Sequence, residues 1–369
     1  MPVTARSFAK INLGLRIGAL RPDGFHELRT VYQTIALHDV VRVKVERGTG
    51  IEIRCQDSRV PKDDSNTCYR IAERATDALK LRGRVIIEIE KRLLVQGGLG
   101  GSSGNAVSTL LALERALKKE LSGPERLRIA AEVGSDVPLF LVGGTVLGVG
   151  HGEEVYPLPD LPPLPCVVAL PEIAVSTPKA FAEWDARVGT KYESCHSESA
   201  SADEESAVHQ PARKTDSSGD RSQLGMTRYS NPVKLTRSEV SDRMLEFSRM
   251  VSSWLTQSDT GFGKGSSGVS AKGRGRAETP LLDLVRTGIE NDFEQVVFPQ
   301  YPELRDVKGL LERDGAVYAS LSGSGSAVYG LFATRARAER AAAKLRQQGV
   351  EARVTSTLTR RQYWRKFLV

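Results

Sequence analysis

The chain has 369 residues, enough for two domains, and a formal net charge of +7. No apolar run reaches bilayer length, and the opening MPVTARSFAKINLGL lacks a hydrophobic export core, so a cytoplasmic protein with no membrane partner is expected. Cys55, Cys68, Cys166 and Cys195 are scattered without a C-x-x-C pair, which argues against a zinc site or a disulfide framework, and the basic excess is dispersed, so a polyanionic small molecule is preferred to nucleic acid as partner.

Residues 4–17 alternate loosely and are expected to form a strand with Lys10 and Asn12 on one face. On so apolar a strand, that pair marks either an exposed face or the lining of a site. Pro22-Asp23-Gly24 is a turn signal, because proline presets one dihedral and glycine tolerates the next. Phe25 and His26 follow at once, suited to stack on and hydrogen-bond a flat ligand, or else to serve as core and surface. Strands are expected at 31–37, 39–46 and 51–55, and a helix at 63–79 capped near Ser65 or Asn66. Residues 84–95 read as a strand running into a loop.

That loop organises the rest. Gly97, Gly98, Leu99, Gly100, Gly101, Ser102, Ser103, Gly104 and Asn105 precede apolar residues at Ala106, Leu110, Leu113 and Leu117, which is helical spacing. Backbone N–H groups without side chains beside them can approach a phosphate, and a helix start favours negative charge. Ser102 and Ser103 add hydroxyls for a phosphate or a magnesium ion. The loop is neither a Walker A motif, which needs a lysine, nor a G-x-G-x-x-G fingerprint.

A second helix is expected at 122–134, with Pro124 in its first turn. Asp136 stands where it stops, just before the apolar Val137–Phe140 run. It is either a turn aspartate or a carboxylate poised as a base. Residues 143–155 suggest a hairpin, and the proline-rich 158–165 a domain boundary. Beyond it a strand at 166–177 leads to a helix from Thr177. From about 189 to 223 large apolar residues almost vanish and disorder is expected. An amphipathic helix is expected within 235–255, through Val240, Met244, Phe247 and Val251. Residues 261–276 are basic, rich in glycine and serine. Helices at 280–297, 301–315 and 336–349 frame a strand–turn–strand at 316–332, with Gly323, Ser324 and Gly325 in the turn, and a strand closes the pattern at 350–358.

Lys10, Asn12, the glycine-serine loop, Gly134-Ser135-Asp136 and Ser322–Gly325 together resemble the GHMP kinase superfamily, which includes galactokinase, homoserine kinase and mevalonate kinase. AKINLGL (9–15), RPDGFHEL (21–28), KRLLVQGGLGGSSGNA (91–106), GSDVPLFL (134–141) and ENDFEQVVFPQYPEL (290–304) follow the family's chain order. They look closest to the branch whose acceptor is a cytidine diphosphate-linked methylerythritol. The resemblance covers about 1–187 and 279–358. It implies an α+β fold in two domains: 1–162, of a form shared with ribosomal proteins, and 163–369, a ferredoxin-like α/β sandwich interrupted at about 188–278 by a disordered insertion. It implies a monomer or weak homodimer using ATP and Mg²⁺.

By position in these motifs, Asp136 would take the acceptor hydroxyl's proton, Lys10 would hold that hydroxyl and offset charge, and Asn12 would hydrogen-bond the acceptor. The 97–105 loop and Asn66 would hold ATP, with Ser103 close to phosphate or Mg²⁺. Phe25 would stack on the cytosine, His26 would read its polar edge, and Phe181 would sandwich it from the other side. Gly323, Ser324 and Gly325 would line the acceptor side. Phe25 stands where the branch commonly has tyrosine, and Leu94 where it has proline.

Overall fold

A computed structural model describes residues 1–93, 95, 97–188, 242–249 and 289–369. Strand β1 (Val3–Leu20) turns at Pro22-Asp23-Gly24 and returns antiparallel as β2 (His26–Glu46). The turn forms as its residues dictate: Gly24 adopts φ 83°, and the Arg21 N–H donates to the Phe25 carbonyl at 2.7 Å. The two strands expected at 31–37 and 39–46 are one. A register shift opposite Phe8/Ala9 bends β2 without breaking it, and the polar Asp39 stays inside because its carboxylate is fully engaged.

β2 is the spine of the first sheet. It pairs with β1, with β4 (Arg84–Glu90) at its far end and with β5 (Thr145–Val149) near Thr30–Gln33. β3 (Gly50–Cys55) lies parallel to β4, and β6 (Glu154–Pro157) completes the expected hairpin with β5. Helices α1 (Thr67–Ala78), α2 (Gly101–Leu117) and α3 (Gly123–Val133) bury Ile71, Leu110, Leu113 and Ile129 with the sheet residues Val41, Val43, Val85 and Ile87. Asn66 caps α1 as expected, its side-chain oxygen accepting the Cys68 N–H at 2.8 Å. Ser122 caps α3. A short turn of helix, α4 (Leu139–Val142), follows Asp136.

The second sheet is antiparallel, in the order β10 (Glu351–Ser356), β7 (Pro165–Leu170), β9 (Val328–Phe332), β8 (Ala316–Leu321). Its core joins Val328 and Phe332 to Trp184 of α5 (Thr177–Val188), Val297 of α6 (Glu294–Gln300), Leu311 of α7 (Pro302–Arg313) and Leu345 of α8 (Arg335–Gln347). A third cluster, with Ile11, Leu13, Val31, Leu99, Val168 and Tyr329, joins the two sheets. The architecture is α+β in two domains. No helix among the described residues is long and apolar enough to cross a membrane.

Two segments depart from expectation. Most of the insertion expected at about 188–278 and the first half of the helix expected at 280–297 lie outside the described residues, but 242–249, within the helix expected at 235–255, is helical and packed. Met244 and Phe247 are buried, close to Gly18 and Gly14 of β1. Arg243 reaches the Asp292 carboxylate at 2.6 Å, which Arg16 also meets at 2.8 Å. Burial pushes the Asp292 carboxyl above its ordinary range, while Arg243 and Arg16 draw it back. Through Met244, Phe247 and Arg243 this segment is anchored on the folded core. The chain also ends in a helix with no counterpart in the sequence reading, α9 (Arg360–Phe367), opened by a capping box between Thr359 and Gln362. Its Tyr363 and Phe367 enter the core of the first domain, so the 163–369 segment is not confined to the second.

Candidate active site

The glycine loop is shaped by what surrounds it. Its carbonyls are tied down in succession: Gly97 accepts from the Ala327 N–H at 3.2 Å, Gly98 from the Ser322 hydroxyl at 2.9 Å, and Leu99 from the Lys10 N–H at 2.9 Å. Gly98 and Gly100 have φ of 72° and 67°, which favours glycine. A Cβ on Gly98 would stand 2.1 Å from the Ser322 carbonyl oxygen, and one on Gly100 would stand 3.0 Å from Lys10 Cγ and Phe140.

Helix α2 starts at Gly101, five residues before the apolar repeat that announced it. Glycine and serine therefore form its first turn, with Gly100 as an N-cap that offers no side chain. The N–H groups of Gly101, Ser102 and Ser103 are left for a ligand, and the helix dipole makes that ligand an anion. These residues line a cleft of about 410 Å³ that also includes Asn66, Lys91, Asn105 and Asp136.

Not every loop residue faces the cleft. Gly104 turns toward β1, where a Cβ would stand 2.8 Å from Ser7 Oγ and 2.9 Å from the Phe8 carbonyl. It is a packing glycine, which corrects its expected place at the nucleotide. Asn66 lines the cleft with its amide already used, Oδ1 on Cys68 N and Nδ2 on the Pro61 carbonyl at 2.6 Å. Ser102 lines the cleft, and its carbonyl accepts from Thr67 Oγ1 at 2.9 Å.

Next to Asp136, which lines the cleft, Lys10 Nζ donates to Asn12 Oδ1 at 2.8 Å and lies 3.3 Å from Asp136 Oδ2. Asn12 Nδ2 donates to Thr30 Oγ1 at 2.8 Å, and Thr30 Oγ1 donates to the Gly14 carbonyl at 2.7 Å. Lys10 and Asn12 are thus both buried and joined to each other, which removes the exposed-face reading of that pair. Asp136 is one-third exposed, so it combines a fixed cationic partner with access from outside. Gly323 abuts this centre, since a Cβ there would stand 3.5 Å from Lys10 Nζ. Ser324 Oγ pairs with Thr177 Oγ1 at 2.7 Å, joining the turn to the start of α5. Gly325 faces Leu321 and Val175 instead, away from the Lys10 centre.

Along the same face, His26 and Phe181 stack with centroids 4.9 Å apart and planes 12° from parallel. His26 Nε2 also meets Asp185 Oδ1 at 2.7 Å. Phe25 lies over His151 instead, at 5.0 Å, and is 55% exposed. Phe25 therefore has His151 as its ring neighbour, and Phe181 has His26. Both rings are flat, and stacking them hides apolar surface in the slot that a third ring would use.

Three residues escaped the sequence reading. Asp39 is fully buried and accepts from Lys91 Nζ at 2.6 Å, from the Arg92 N–H at 2.6 Å, from the Leu93 N–H at 2.7 Å and from Asn105 Nδ2 at 3.1 Å. A carboxylate inside a strand of β-branched residues was the available signal. Lys91 is the cation it holds at the cleft. Tyr32 donates its hydroxyl to Asp136 Oδ1 at 2.8 Å. Among the described residues, no group of three or more His, Cys, Asp or Glu side chains is placed to hold a metal.

The GHMP kinases N terminal domain model matches residues 66–144, and the GHMP kinases C terminal model matches 278–351. The chain is 33% identical over 332 residues to a 4-diphosphocytidyl-2-C-methyl-D-erythritol kinase of Solibacter usitatus, covering 89% of this chain and 81% of that protein. It is 31% identical to the Acaryochloris marina protein of the same name, covering 93% and 91%. A crystal structure of 4-(cytidine 5'-diphospho)-2C-methyl-D-erythritol kinase superposes with a TM-score of 0.62 at 26% identity, covering 96% and 98%. Homoserine kinase from Cytophaga hutchinsonii superposes with a TM-score of 0.64 at only 17% identity, covering 97% and 95%. That second likeness speaks for the fold alone.

Proposed function

We propose the following reaction on the premise that the chain belongs to the 4-diphosphocytidyl-2-C-methyl-D-erythritol kinases, a branch of the GHMP kinases. It transfers the γ-phosphoryl group of ATP to the 2-hydroxyl of 4-diphosphocytidyl-2-C-methyl-D-erythritol, a step of the non-mevalonate route to isoprenoid precursors. One observation carries the reading. Lys10 sits between Asn12 and Asp136, and Asp136 lines the same cleft as the uncapped start of α2.

ATP fits the loop because the first turn of α2 opens on the cleft without a side-chain cap, and glycine at 98 and 100 keeps that shape, since side chains there would collide with the Ser322 carbonyl or with Lys10. The first-turn N–H groups of α2 take its phosphates, and the Lys91 ammonium adds charge at the cleft wall. Mg²⁺ fits the Ser103 hydroxyl, a hard oxygen donor of the kind it takes beside phosphates and water. When bound, the magnesium nucleotide supplies the activated phosphoryl group with part of its charge neutralised.

The chain's own residues do the rest by position. Asp136 accepts the proton of the acceptor hydroxyl, a contribution of about 10²–10⁴-fold for a placed general base. Lys10, steadied by Asn12, orients Asp136 and the hydroxyl and offsets developing negative charge. Gly323 lets the acceptor come close to that centre. His26, Phe181 and Phe25 hold the cytosine, His26 at its polar edge and the phenylalanines at its faces. Opening the His26–Phe181 stack to admit the base exchanges one ring contact for another, so it costs little.

The test is ADP release from Mg·ATP with 4-diphosphocytidyl-2-C-methyl-D-erythritol, run beside mevalonate, homoserine and galactose. Turnover confined to the cytidine compound is the expected result. Turnover with one of the others alone overturns the acceptor and keeps the phosphoryl-transfer centre.

A further inference from the structure

Each oxygen of the Asp136 carboxylate has its own partner. Lys10 Nζ stands 3.3 Å from Oδ2, and the Tyr32 hydroxyl donates to Oδ1 at 2.8 Å. The two partners also touch, with Lys10 Nζ 5.6 Å from the centre of the Tyr32 ring. Asp136 lies in a turn between α3 and α4, where the backbone alone fixes a side chain poorly. Tyr32 lies on β2, paired on both sides, with Asn12 of β1 and Val146 of β5.

The space for the Tyr32 ring is made by two glycines in the hairpin across the sheet. A Cβ on Gly148 would stand 2.5 Å from Tyr32 Cε2, and one on Gly152 would stand 2.7 Å from the Tyr32 hydroxyl. Gly152 also has φ of 106°, which other residues rarely adopt. The same turn is fastened to the Asp136 side: His151 Nδ1 meets Ser135 Oγ at 2.8 Å and Glu153 Oε2 at 3.1 Å. The ring is 2% exposed, so its hydroxyl has little freedom to seek another partner.

We propose that Tyr32 is a positioning residue for phosphoryl transfer: from a slot shaped by Gly148 and Gly152, its hydroxyl fixes Oδ1 of Asp136 and thereby aims Oδ2 at Lys10 and the acceptor hydroxyl. A carboxylate held at one oxygen loses its rotation about the Cβ–Cγ bond, and the other oxygen keeps a single direction. Burial, reinforced by the Asp136 and Glu153 charges, pushes the Tyr32 phenol well above its ordinary value. It therefore stays protonated, and a donor, throughout the working range of a kinase. Tyr32 touches neither substrate in this arrangement and acts only through Asp136.

The inference rests on the phosphoryl-transfer part of the proposed function and not on the acceptor's identity. Wild-type turnover, with whichever of the four acceptors is used, is measured first and tests that function. Tyr32→Phe then removes one oxygen and keeps the ring. The expected result is kcat lowered about tenfold, with KM for ATP and for the acceptor within twofold of wild type. In an Asp136→Asn background, followed by single-turnover transfer of labelled phosphate, Tyr32→Phe should add no further loss. A kcat within twofold of wild type overturns the proposal. So does a KM that rises as much as kcat falls, or an equal loss with and without Asp136. If Tyr32→Phe does not fold, Gly152→Ala, which crowds the hydroxyl and leaves Tyr32 in place, carries the same expectations and the same refutations.

Discussion

The Asp39 carboxylate and the Lys91 ammonium meet at 2.6 Å at the root of the glycine loop, and both are more than nine-tenths buried. Asp39 also gathers the N–H groups of Arg92 and Leu93 and the amide of Asn105, so one carboxylate joins β2, the approach to the loop and α2. Removing it would leave a buried cation and three donors without a partner. Asp39→Ala should lower stability by about 3–5 kcal/mol, the usual effect of breaking a buried ion pair from one side. Urea unfolding checks this, and an unchanged midpoint would show that Lys91 finds water at no cost.

Asp136→Asn keeps the shape of the side chain and removes its basicity. Turnover should fall by about 10²–10⁴-fold, while ATP affinity, measured by calorimetry, should stay within a few-fold of wild type. Near-normal turnover would remove Asp136 as the base.

Gly98→Ala tests the floor of the phosphate site. The added methyl meets a backbone carbonyl at 2.1 Å and requires a left-handed conformation, so the loop must move. A stability loss of about 1–3 kcal/mol and a rise of about tenfold or more in KM for ATP are expected, the second estimate following from misplaced N–H donors. Full ATP affinity in this variant would mean that the loop is set elsewhere.

Phe181→Ala removes the ring stacked on His26. KM for the cytidine acceptor should rise about tenfold, as loss of one stacking face is worth roughly 1–3 kcal/mol, with KM for ATP unaltered. Phe25→Ala should act in the same direction. Equal changes for both substrates would place the base elsewhere.

Phe247→Ala addresses the described part of the long connection after α5. The side chain is 1% exposed and packs by β1, so its loss should cost about 3–5 kcal/mol. Deletion of 190–276 should cost at least as much, because it also takes Arg243 from Asp292. A deletion variant as stable as the intact chain would show that 242–249 contributes nothing to the core.

What the sequence made legible follows from how local each signal is. The Asn66 cap, Pro124 in the first turn of α3, the Pro-Asp-Gly turn and the strand–turn–strand around Gly323 depend on neighbouring residues, and they stand where expected. Lys10, Asn12 and Asp136 were individually visible as polar residues in apolar settings, and the structure brings them together. Tyr32 and Asp39 were not, because their partners lie 104 and 52 residues away, beyond any periodicity. The start of α2 was misjudged for a related reason. Apolar repeats mark where a helix packs, whereas its first turn here is glycine and serine at the edge of a cleft. Helix α9 went unread because its buried face consists of Tyr363 and Phe367 within a strongly basic stretch.

The bonds from Ala327 to Gly97 and from Ser322 to Gly98 bear on how such a chain can be rearranged over time. The shape of the glycine loop is common property of two segments 224 residues apart. A break in the proline-rich 158–165 connector would yield two pieces, and neither would carry a whole nucleotide site. Reassociation of the pieces, and not either one alone, would restore it. For the same reason, exchanging C-terminal halves among relatives should alter acceptor choice without disabling ATP binding only when the 322–327 turn remains compatible with the loop it supports.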